Sequence, residues 1–306
     1  MKKYQGVLII LTLFIATLLL AFPSCRKLVT DEFPDYPQKI TVNSIAKAGD
    51  PLWVNISLTG NINDSTLVFV DDAVVDLYIN GSLAETLSYE GDGYYISTVV
   101  ANENDSLECV VAYKGDTARC SCIVPQKEIP LGFEYIANAG VDDWGEVLHG
   151  VVTTIGNIKN QRKYYEIKIY TIEAPDWYGG TTIMDITDPI IKNEGLPLPL
   201  FSNELASGES FSVTLKYMTN SHQTIFYNDS VINIIRPLLV KFRTVDENYY
   251  KFTRMHYLYY EGRYTYGIAD NPVTFNAYSN VENGYGVFAA YTEYVDSIYP
   301  PNCVQQ

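Results

Sequence analysis

Residues 73–89 read AVVDLYINGSLAETLSY, and their pattern is the clearest structural signal in the chain. The odd-numbered positions from Ala73 to Ile79 are apolar, and the positions between them are more polar. Such alternation with a period of two is typical of a β-strand with one buried face. Asn80-Gly81 then favours a two-residue hairpin turn, so a second strand is predicted over Ser82–Tyr89.

Similar short runs lie on both sides of this hairpin, and Gly91-Asp92-Gly93 supplies another turn. Seven short strands within roughly 90 residues, with frequent turns, predict an immunoglobulin-like β-sandwich over residues 38–126. The predicted strands are Lys39–Lys47, Leu52–Leu58, Ala73–Asn80, Ser82–Tyr89, Tyr94–Val100, Leu107–Tyr113 and Thr117–Pro125.

A second β-rich domain is predicted over residues 127–306, after a boundary at Pro125–Pro130. Between its strands lies Glu173–Ser207, a proline-containing stretch that we expect to be an irregular loop, and long loops are often functional. Alternation and β-branched residues predict the strands Glu146–Thr154, Tyr164–Ile172, Phe211–Tyr217, Val231–Ile235 and Leu238–Val245.

One segment of this second domain favours a helix. Asp246 suits the N-cap position, Glu247 the first turn and Gly262 the end. Apolar residues recur between them at helical spacing, so an amphipathic helix is predicted over Glu247–Glu261. A tyrosine-rich strand stays open as the alternative.

The first 25 residues have the pattern of an export signal. Lys2 and Lys3 precede an apolar run over Val7–Phe22, and Ser24-Cys25 follows. This order is typical of a bacterial lipoprotein signal. We expect residues 1–24 to be removed and Cys25 to carry acyl chains such as palmitate. The expected location is the outer membrane of the cell envelope, with the periplasmic or surface facing left open.

An uncleaved anchor is the alternative for this segment. The apolar run has about 16 residues, whereas a membrane-spanning helix needs roughly 20. Phe22-Pro23 is nevertheless an unusual pair before a lipoprotein cysteine. Residues 25–37 contain Pro34 and Pro37 and are predicted to form an extended tether.

Charge restricts the partners. The whole chain carries a formal charge of −15, and removal of 1–24 takes away two lysines and no acid, which leaves −17. Nucleic acid is therefore not an expected partner, because binding to phosphate requires clustered Lys and Arg. The membrane is expected to be reached through lipid and not through electrostatic attraction.

Cysteines other than Cys25 number four, and an even count in an exported chain suggests disulfides. If Gly115-Asp116 is the hairpin turn, Cys109 faces Cys122, and the two could form a cross-strand bridge at a non-hydrogen-bonded pair. A Cys/His metal site is the competing interpretation, although Cys120-x-Cys122 lacks the usual zinc spacing. No metal and no cofactor are predicted.

Catalytic patterns are weak. His149, His222 and His256 are far apart in sequence, and no Gly-x-Ser-x-Gly motif occurs. The acidic pairs Asp71-Asp72 and Asp142-Asp143 are interpreted as turn residues whose carboxylates accept backbone hydrogen bonds. No catalytic residue is predicted, and the protein is not expected to be an enzyme; a hydrolase using scattered carboxylates is the least favoured hypothesis.

Aromatic residues are the best binding candidates in the sequence, which has 26 tyrosines. Trp144 lies in an acidic, glycine-flanked loop, and Trp177-Tyr178 lies in the stretch predicted to be irregular. Tyr and Trp combine a broad apolar face with a polar tip, which suits sugar rings and protein interfaces. The competing interpretation is that aromatics fill half-buried sheet positions.

The chain resembles the Bacteroidetes lipoproteins grouped as the domain-of-unknown-function 4249 family. The resemblance spans nearly the whole mature chain, and its sharpest parts are C-terminal. The residues that carry it are Cys25, Ala73-Val74-Val75, Gly91-Asp92-Gly93-Tyr94-Tyr95, Val124-Pro125, Asp246-Glu247-Asn248-Tyr249-Tyr250-Lys251-Phe252, Asn271-Pro272 and Ser279-Asn280-Val281-Glu282-Asn283-Gly284-Tyr285-Gly286-Val287-Phe288. Gly284 and Gly286 are expected to allow a tight turn with positive φ.

The resemblance implies an envelope lipoprotein associated with a TonB-dependent outer-membrane receptor in nutrient capture. It assigns no catalytic residues. A stand-alone glycan-binding lipoprotein is the alternative, suggested by Trp144, Trp177 and Tyr178, and its ligand would be a glycan or a peptide.

Overall fold

The computed structural model describes residues 36–61, 66–157, 161–174, 177–180, 182–185, 187–218, 223–227, 230–262, 276–301 and 303, with the backbone alone for 173–185, 223–234 and 262. Gln38–Gln306 form one compact unit. The predicted signal peptide, Cys25 and most of the tether lie outside the described residues. Within those residues, no helix has both the length and the apolar character needed to cross a bilayer.

The described chain is mainly β, as predicted. Its two helices are α1 (Pro189–Glu194) and α2 (Glu247–Gly262). Its strands are β1 (Ile40–Lys47), β2 (Pro51–Leu58), β3 (Val68–Phe69), β4 (Val74–Ile79), β5 (Ser82–Thr86), β6 (Ser88–Gly91), β7 (Tyr94–Val100), β8 (Ser106–Tyr113), β9 (Asp116–Ile123), β10 (Gly132–Val141), β11 (Val147–Gly156), β12 (Tyr164–Ala174), β13 (Trp177–Gly180), β14 (Thr182–Asp185), β15 (Leu200–Ser202), β16 (Ser210–Met218), β17 (Gln223–Tyr227), β18 (Ser230–Ile234), β19 (Leu238–Val245), β20 (Val281–Glu282) and β21 (Tyr285–Ile298).

The Asn80-Gly81 hairpin forms as predicted, and its two turn residues have φ values of 52° and 79° between β4 and β5. The predicted helix is also confirmed as α2, so the alternative of a tyrosine-rich strand is wrong. The second strand of the hairpin ends earlier than predicted, because 82–89 is divided between β5 and β6, which belong to different sheets.

The prediction of an irregular loop over Glu173–Ser207 is wrong, because this stretch contains β13, β14, α1 and β15. Prolines were interpreted there as breakers, but Pro189 begins α1. Proline suits the first helical position, where its missing N–H would have no helical partner. The Asp188 side chain caps the helix by accepting a hydrogen bond from Ile190 N (2.9 Å), and Gly195 ends it at φ 74°.

A ten-stranded sheet is the common layer of the fold. Its main path runs β13-β12-β19-β21-β1-β2-β7-β6, with β15 paired to β12 and β3 to β2. Strands from both predicted regions, 38–126 and 127–306, therefore share one sheet. The joining pair is β1 with β21, which are parallel from Thr41–Tyr285 to Lys47–Tyr291.

Two glycines allow β21 to approach β1. A Cβ at Gly284 would lie 2.5 Å from the carbonyl oxygen of Ile40, and a Cβ at Gly286 would collide with the Val42 carbonyl. Gly286 has a φ of 116°, but the other positive φ of this turn belongs to Asn283, at 58°. The positive φ values expected at Gly284 and Gly286 therefore occur at Asn283 and Gly286. Gly284 instead lets β21 lie close to β1, because it has no Cβ.

Two smaller sheets cover one face of the large sheet, which we call the inner face. The five-stranded sheet β20-β9-β8-β4-β5 shares a hydrophobic core with β1, β2 and β21, and the four-stranded sheet β10-β11-β16-β14 shares another with β12 and β19. Phe288 and Ala290 belong to the first core and Tyr294 and Ile298 to the second. All four occupy even positions of β21, so both cores lie on the same face.

Helix α2 covers part of the opposite, outer face. Tyr249 of the helix packs with Tyr164, Val245, Val287 and Ala289, which alternate with the inner-face residues. In residues 38–126, β1, β2 and β7 thus face β9, β8 and β4 in two layers, while the immunoglobulin-like relationship itself stays a prediction.

Candidate functional site

The predicted binding aromatics fall in different sheets. Trp144 lies in the turn between β10 and β11 with 79% of its surface exposed. The Asp142 carboxylate holds this turn by accepting hydrogen bonds from Trp144 N (2.9 Å) and Glu146 N (2.8 Å), as expected for an acidic turn residue. Trp177 and Tyr178 lie on β13, an end strand of the ten-stranded sheet, and not in an irregular loop; their side chains lie outside the description.

The predicted Cys109–Cys122 pairing is wrong, because the turn between β8 and β9 is Lys114-Gly115. Both turn residues have positive φ, and Tyr113 faces Asp116. Cys109 therefore faces Cys120, while Cys122 faces Leu107. Cys109, Cys120 and Cys122 are buried free thiols, and Cys120 Sγ lies 3.7 Å from the Cys109 carbonyl oxygen.

The cysteine side chains face the inner core and are not exposed to solvent. The hydrogen bond to Cys109, together with burial, raises the pKa of the Cys120 thiol well above its ordinary value, and burial does the same for Cys122. Thiols with a raised pKa are poor nucleophiles, because the reactive form is the thiolate. Cys303 lies apart, at a short bridge with Ile235.

The described histidines have structural surroundings. His149 is buried on β11, where its Nδ1 lies 2.6 Å from the Tyr135 hydroxyl and its ring packs between Tyr135 and Tyr217. His256 lies on α2 beside Phe252. His222 lies outside the described residues. Among the described residues, no group of three His, Cys, Asp or Glu side chains could hold a metal ion.

A buried ionic network joins α2 to the outer face of the large sheet. Arg243 on β19 donates to Glu166 on β12 (3.0 Å) and to Glu293 on β21 (2.8 Å). Its guanidinium lies 4.4 Å from the centre of the Tyr291 ring, and the Tyr249 hydroxyl donates to Glu166 (2.8 Å). Charges that are buried like this require such complete pairing.

A second network fixes the other flank of the helix. Glu194, at the end of α1, accepts hydrogen bonds from Ser202 N (2.7 Å), from the Tyr250 hydroxyl and from Arg254 (3.1 Å). Arg254 also donates to the Glu194 carbonyl oxygen (2.6 Å). Because both networks contact α2, the helix has a defined position on the sheet.

The two C-terminal sequence motifs meet at the beginning of α2. The side-chain amide nitrogens of Asn248 and Asn280 both donate to the carbonyl oxygens of Ser121 and Phe288, at 2.8–3.4 Å. The Asn280 side-chain oxygen accepts from Phe288 N (2.9 Å), and the Tyr278 hydroxyl donates to Asn248 (2.7 Å). The motifs thus hold together α2, β9 and β21.

Next to this junction lies a cleft, which we call the helix-cap cleft. It consists of two adjoining cavities of about 540 and 530 Å³ that share Ile123, Asp246 and Glu247. Arg162 and Lys163 line the first cavity, while Ser121 and Asn280 line the second. Both volumes are within the range of small-ligand sites.

Asp246 is the most perturbed carboxyl in the cleft. Burial raises its pKa from 3.8 to about 7, although the backbone N–H of Tyr249 donates to it (2.8 Å). A perturbed pKa in a cleft marks a candidate functional residue. The Asp246 carboxylate also caps α2, however, and this structural role is sufficient to explain an aspartate at this position. The chemistry available to the cleft is recognition through hydrogen bonds and through charges of both signs.

Sequence reasoning missed both buried networks and the cleft. Glu166, Arg243 and Glu293 belong to three strands that are far apart along the chain, so no local spacing connects them. For the cleft, the usable signal in the sequence was the pair of asparagine-containing C-terminal motifs around Asn248 and Asn280.

Comparisons with known proteins agree with the family resemblance. The model of the family described as "Domain of unknown function (DUF4249)" matches residues 26–297. No curated protein matches the chain. Among solved structures, a protein described as membrane anchored, from Corynebacterium diphtheriae, is 11% identical with a TM-score of 0.21. That match covers 70% of this chain, which spans 55% of the other chain's length.

Proposed function

The chain belongs to the family described as domain of unknown function (DUF4249), and from that premise we propose that it is a lipid-anchored envelope protein. In this proposal it has no catalytic activity and assists a TonB-dependent outer-membrane receptor in nutrient capture. Its lipid anchor is Cys25, its place is the outer membrane, and its ligand is a nutrient that the receptor takes up.

The observation that carries the proposal is the order of segments at the N-terminus. A basic, apolar leader ends at Ser24-Cys25, and the compact unit begins at Gln38. The 13 residues between 25 and 37 can span at most about 45 Å when extended. A body held by so short a tether stays near the bilayer, where a receptor embedded in the same membrane is within reach.

The acylation part is tested by labelling cells with an alkyne analogue of palmitate. The wild-type chain is expected to incorporate the label, to lose residues 1–24 and to fractionate with the outer membrane. Cys25→Ser is expected to abolish labelling, whereas Cys303→Ser, which keeps Cys25, should be labelled normally. An unmodified Cys25 thiol on a chain that still begins at Met1 would refute the anchor.

The partner part is tested by crosslinking in intact cells, followed by purification through the lipoprotein. A TonB-dependent receptor is expected among the crosslinked proteins. Cys25→Ser, which removes the anchor that holds the body near the bilayer, is expected to weaken the crosslink. Recovery of the lipoprotein alone, under conditions where a known envelope complex is captured, would contradict the proposed partnership.

A stand-alone glycan-binding lipoprotein is the second candidate, and Trp144 favours it. An indole that is 79% exposed on a turn held by Asp142 is available to stack on a sugar ring. A glycan array probed with the wild-type chain, Trp144→Ala and Trp177→Ala would identify this function. Binding that survives both substitutions would exclude these two residues as the platform.

A further inference from the structure

Part of the outer face of the ten-stranded sheet has aromatic and apolar side chains in contact with solvent. Helix α2 packs over β12, β19 and β21. On β2 and β7 the same face presents Trp53, Tyr94 and Ile96 with 40%, 43% and 39% of their surfaces exposed. Trp53 pairs with Ile96 across the two strands, so the three side chains are neighbours. We call this set, with Pro51 and Val100 at its end, the aromatic strip.

The strip has stacking surface and amide groups side by side. The rings of Trp53 and Tyr94 lie 5.7 Å apart at 58° to each other. Asn55 is the cross-strand partner of Tyr94, and Asn43 is the cross-strand partner of Asn55. Within the described residues, the side-chain nitrogen of Asn55 donates to the Asp92 carbonyl oxygen (3.0 Å) and the side-chain oxygen of Asn43 accepts from Val287 N (3.4 Å).

Among the described residues, no further bond engages the oxygen of Asn55 or the nitrogen of Asn43, so the first can accept from a ligand and the second can donate to one. Hydroxyl groups can bond to both. The C–H faces of a sugar ring pack on aromatic rings, whose π-systems carry partial negative charge. The combination of two rings, one donor and one acceptor matches a polyhydroxylated, apolar-faced ligand.

Charge distinguishes this ligand from other occupants. The outward side chains of β2 and β7 in the strip are uncharged, although the chain has 36 acidic and 21 basic residues. Thr98, the remaining outward residue of β7 here, is also uncharged, but its hydroxyl donates to the Glu85 carboxylate (2.9 Å), which also accepts from the Ser97 hydroxyl (2.6 Å). Because Glu85 is already engaged by Ser97 and Thr98, a charged protein surface would find no complementary charge among the strip's own side chains, whereas a neutral molecule needs none.

We propose that the aromatic strip binds a neutral oligosaccharide, with Trp53 and Tyr94 as the stacking platform and Asn43 and Asn55 as the hydrogen-bonding groups. The inference rests on the proposed function for its biological context, because it names the class of nutrient that would be captured. The binding itself requires neither the anchor nor the receptor.

The test is isothermal titration calorimetry on the intact lipoprotein, purified in a detergent without a sugar headgroup. Maltohexaose and cellohexaose serve as probes, because one is a curved and the other an extended neutral chain. At least one is expected to bind. Trp53→Ala and Tyr94→Ala should each weaken binding at least tenfold, and Ile96→Asp should weaken it by placing a charge in the strip.

Two control variants make the result specific. Tyr299→Ala removes another exposed aromatic side chain, away from β2 and β7, and should change affinity less than twofold. Circular dichroism of every variant checks that it is folded, and Trp53→Phe, which keeps a ring, should retain most of the affinity if Trp53→Ala does not fold.

Three results would overturn the proposal: no heat of binding with either probe, wild-type affinity in the folded Trp53→Ala and Tyr94→Ala variants, or loss of binding in Trp144→Ala alone. The receptor crosslink separates this failure from that of the proposed function. If the crosslink depends on Trp53 and no glycan binds, the strip is a protein contact and not a glycan site. If a glycan binds and no crosslink forms, the strip remains a glycan site and the receptor partnership is refuted.

Discussion

The two faces of the ten-stranded sheet are built on opposite principles. The inner face is covered along β1, β2, β12 and β19 by two smaller sheets, and its contacts are aliphatic and aromatic. The outer face is covered in part by one helix, which is held by Arg243, Glu166 and Glu194. Beyond the helix, the outer face is open at the aromatic strip.

The comparison separates stability from placement. Burial of apolar surface is favourable but non-directional, so it joins layers without fixing a helix at one position. Hydrogen-bonded ion pairs are directional and contribute less net stability when buried. The inner face should therefore determine how stable the fold is, and the outer face where α2 lies and which surface stays accessible.

The largest effect is expected on the inner face. Phe242 has no exposed surface, and its ring lies 5.4 Å from that of Tyr165. Phe242→Ala should lower the free energy of unfolding by about 3–5 kcal/mol, since it removes buried contacts and leaves a cavity. Urea denaturation followed by circular dichroism measures this, with Phe242→Leu as the milder control. A loss below about 1 kcal/mol would contradict the assignment of stability to this face.

The next effect is expected in the ionic network. Arg243→Met leaves Glu166 and Glu293 buried without their shared cation and should cost about 3 kcal/mol. Adding Glu166→Gln and Glu293→Gln removes the uncompensated charges and should restore part of the loss. If the triple variant is less stable than Arg243→Met, the two carboxylates are not uncompensated in the single variant, and their other contacts, such as that of Tyr249 with Glu166, stabilise them.

A smaller effect, which depends on pH, is expected at Asp246. Its pKa is about 7 in the folded protein and 3.8 as an ordinary side chain. The folded state therefore holds a proton that the unfolded state releases, so the stabilisation is fully present below about pH 4 and is lost as the pH rises to about 7. The loss should be about 2 kcal/mol, after allowance for the partial exposure of the carboxylate.

Asp246→Asn keeps a capping side chain without the titration, so its unfolding free energy should vary less between pH 4 and 7. Asp188→Asn makes the same substitution at the cap of α1. It measures, at one pH, how much the unfolding free energy changes when an aspartate cap becomes asparagine. An unchanged pH profile in Asp246→Asn would mean that burial does not perturb this carboxyl.

The smallest effect is expected on the open part of the outer face. Ile96→Thr keeps a β-branched residue at an exposed strand position and should change the unfolding free energy by less than about 0.5 kcal/mol. The same urea titration measures it. A loss comparable with that of Phe242→Ala would show that the strip supports the fold, and the contrast between the two faces would disappear.

Local patterns in the sequence predicted those parts of the fold that depend on neighbours along the chain. Alternation identified β1, β2, β4, β7 and β19, the Asn80-Gly81 turn formed, and Asp246 begins the predicted helix. The turn at Lys114-Gly115 does not follow from residue preferences. Lys114 adopts a positive φ that its residue type does not favour, and this single choice changed the partner of every residue on β8.

Long-range pairing could not be predicted in this way. Nothing in the alternation of Ile40–Lys47 indicates a parallel partner more than 240 residues later, and the ionic network joins three such distant strands. The helix-cap cleft was only partly foreseeable. The motifs around Asn248 and Asn280 were visible as motifs, but their meeting at Ser121 depends on tertiary structure. The strip was missed because Trp53 and Tyr94 look like ordinary sheet residues.

The parallel pairing of β1 with β21 has a mechanical consequence. The chain enters the compact unit at β1, so a pull on the preceding residues acts along that strand. Its hydrogen bonds to β21, over seven residue pairs, lie across the direction of such a pull and would be loaded together, in shear. A pull from this end therefore cannot break the hydrogen bonds one after another, as it would in a hairpin that is pulled open. If the protein is anchored through Cys25 as proposed, this arrangement would resist unfolding of the body from its point of attachment.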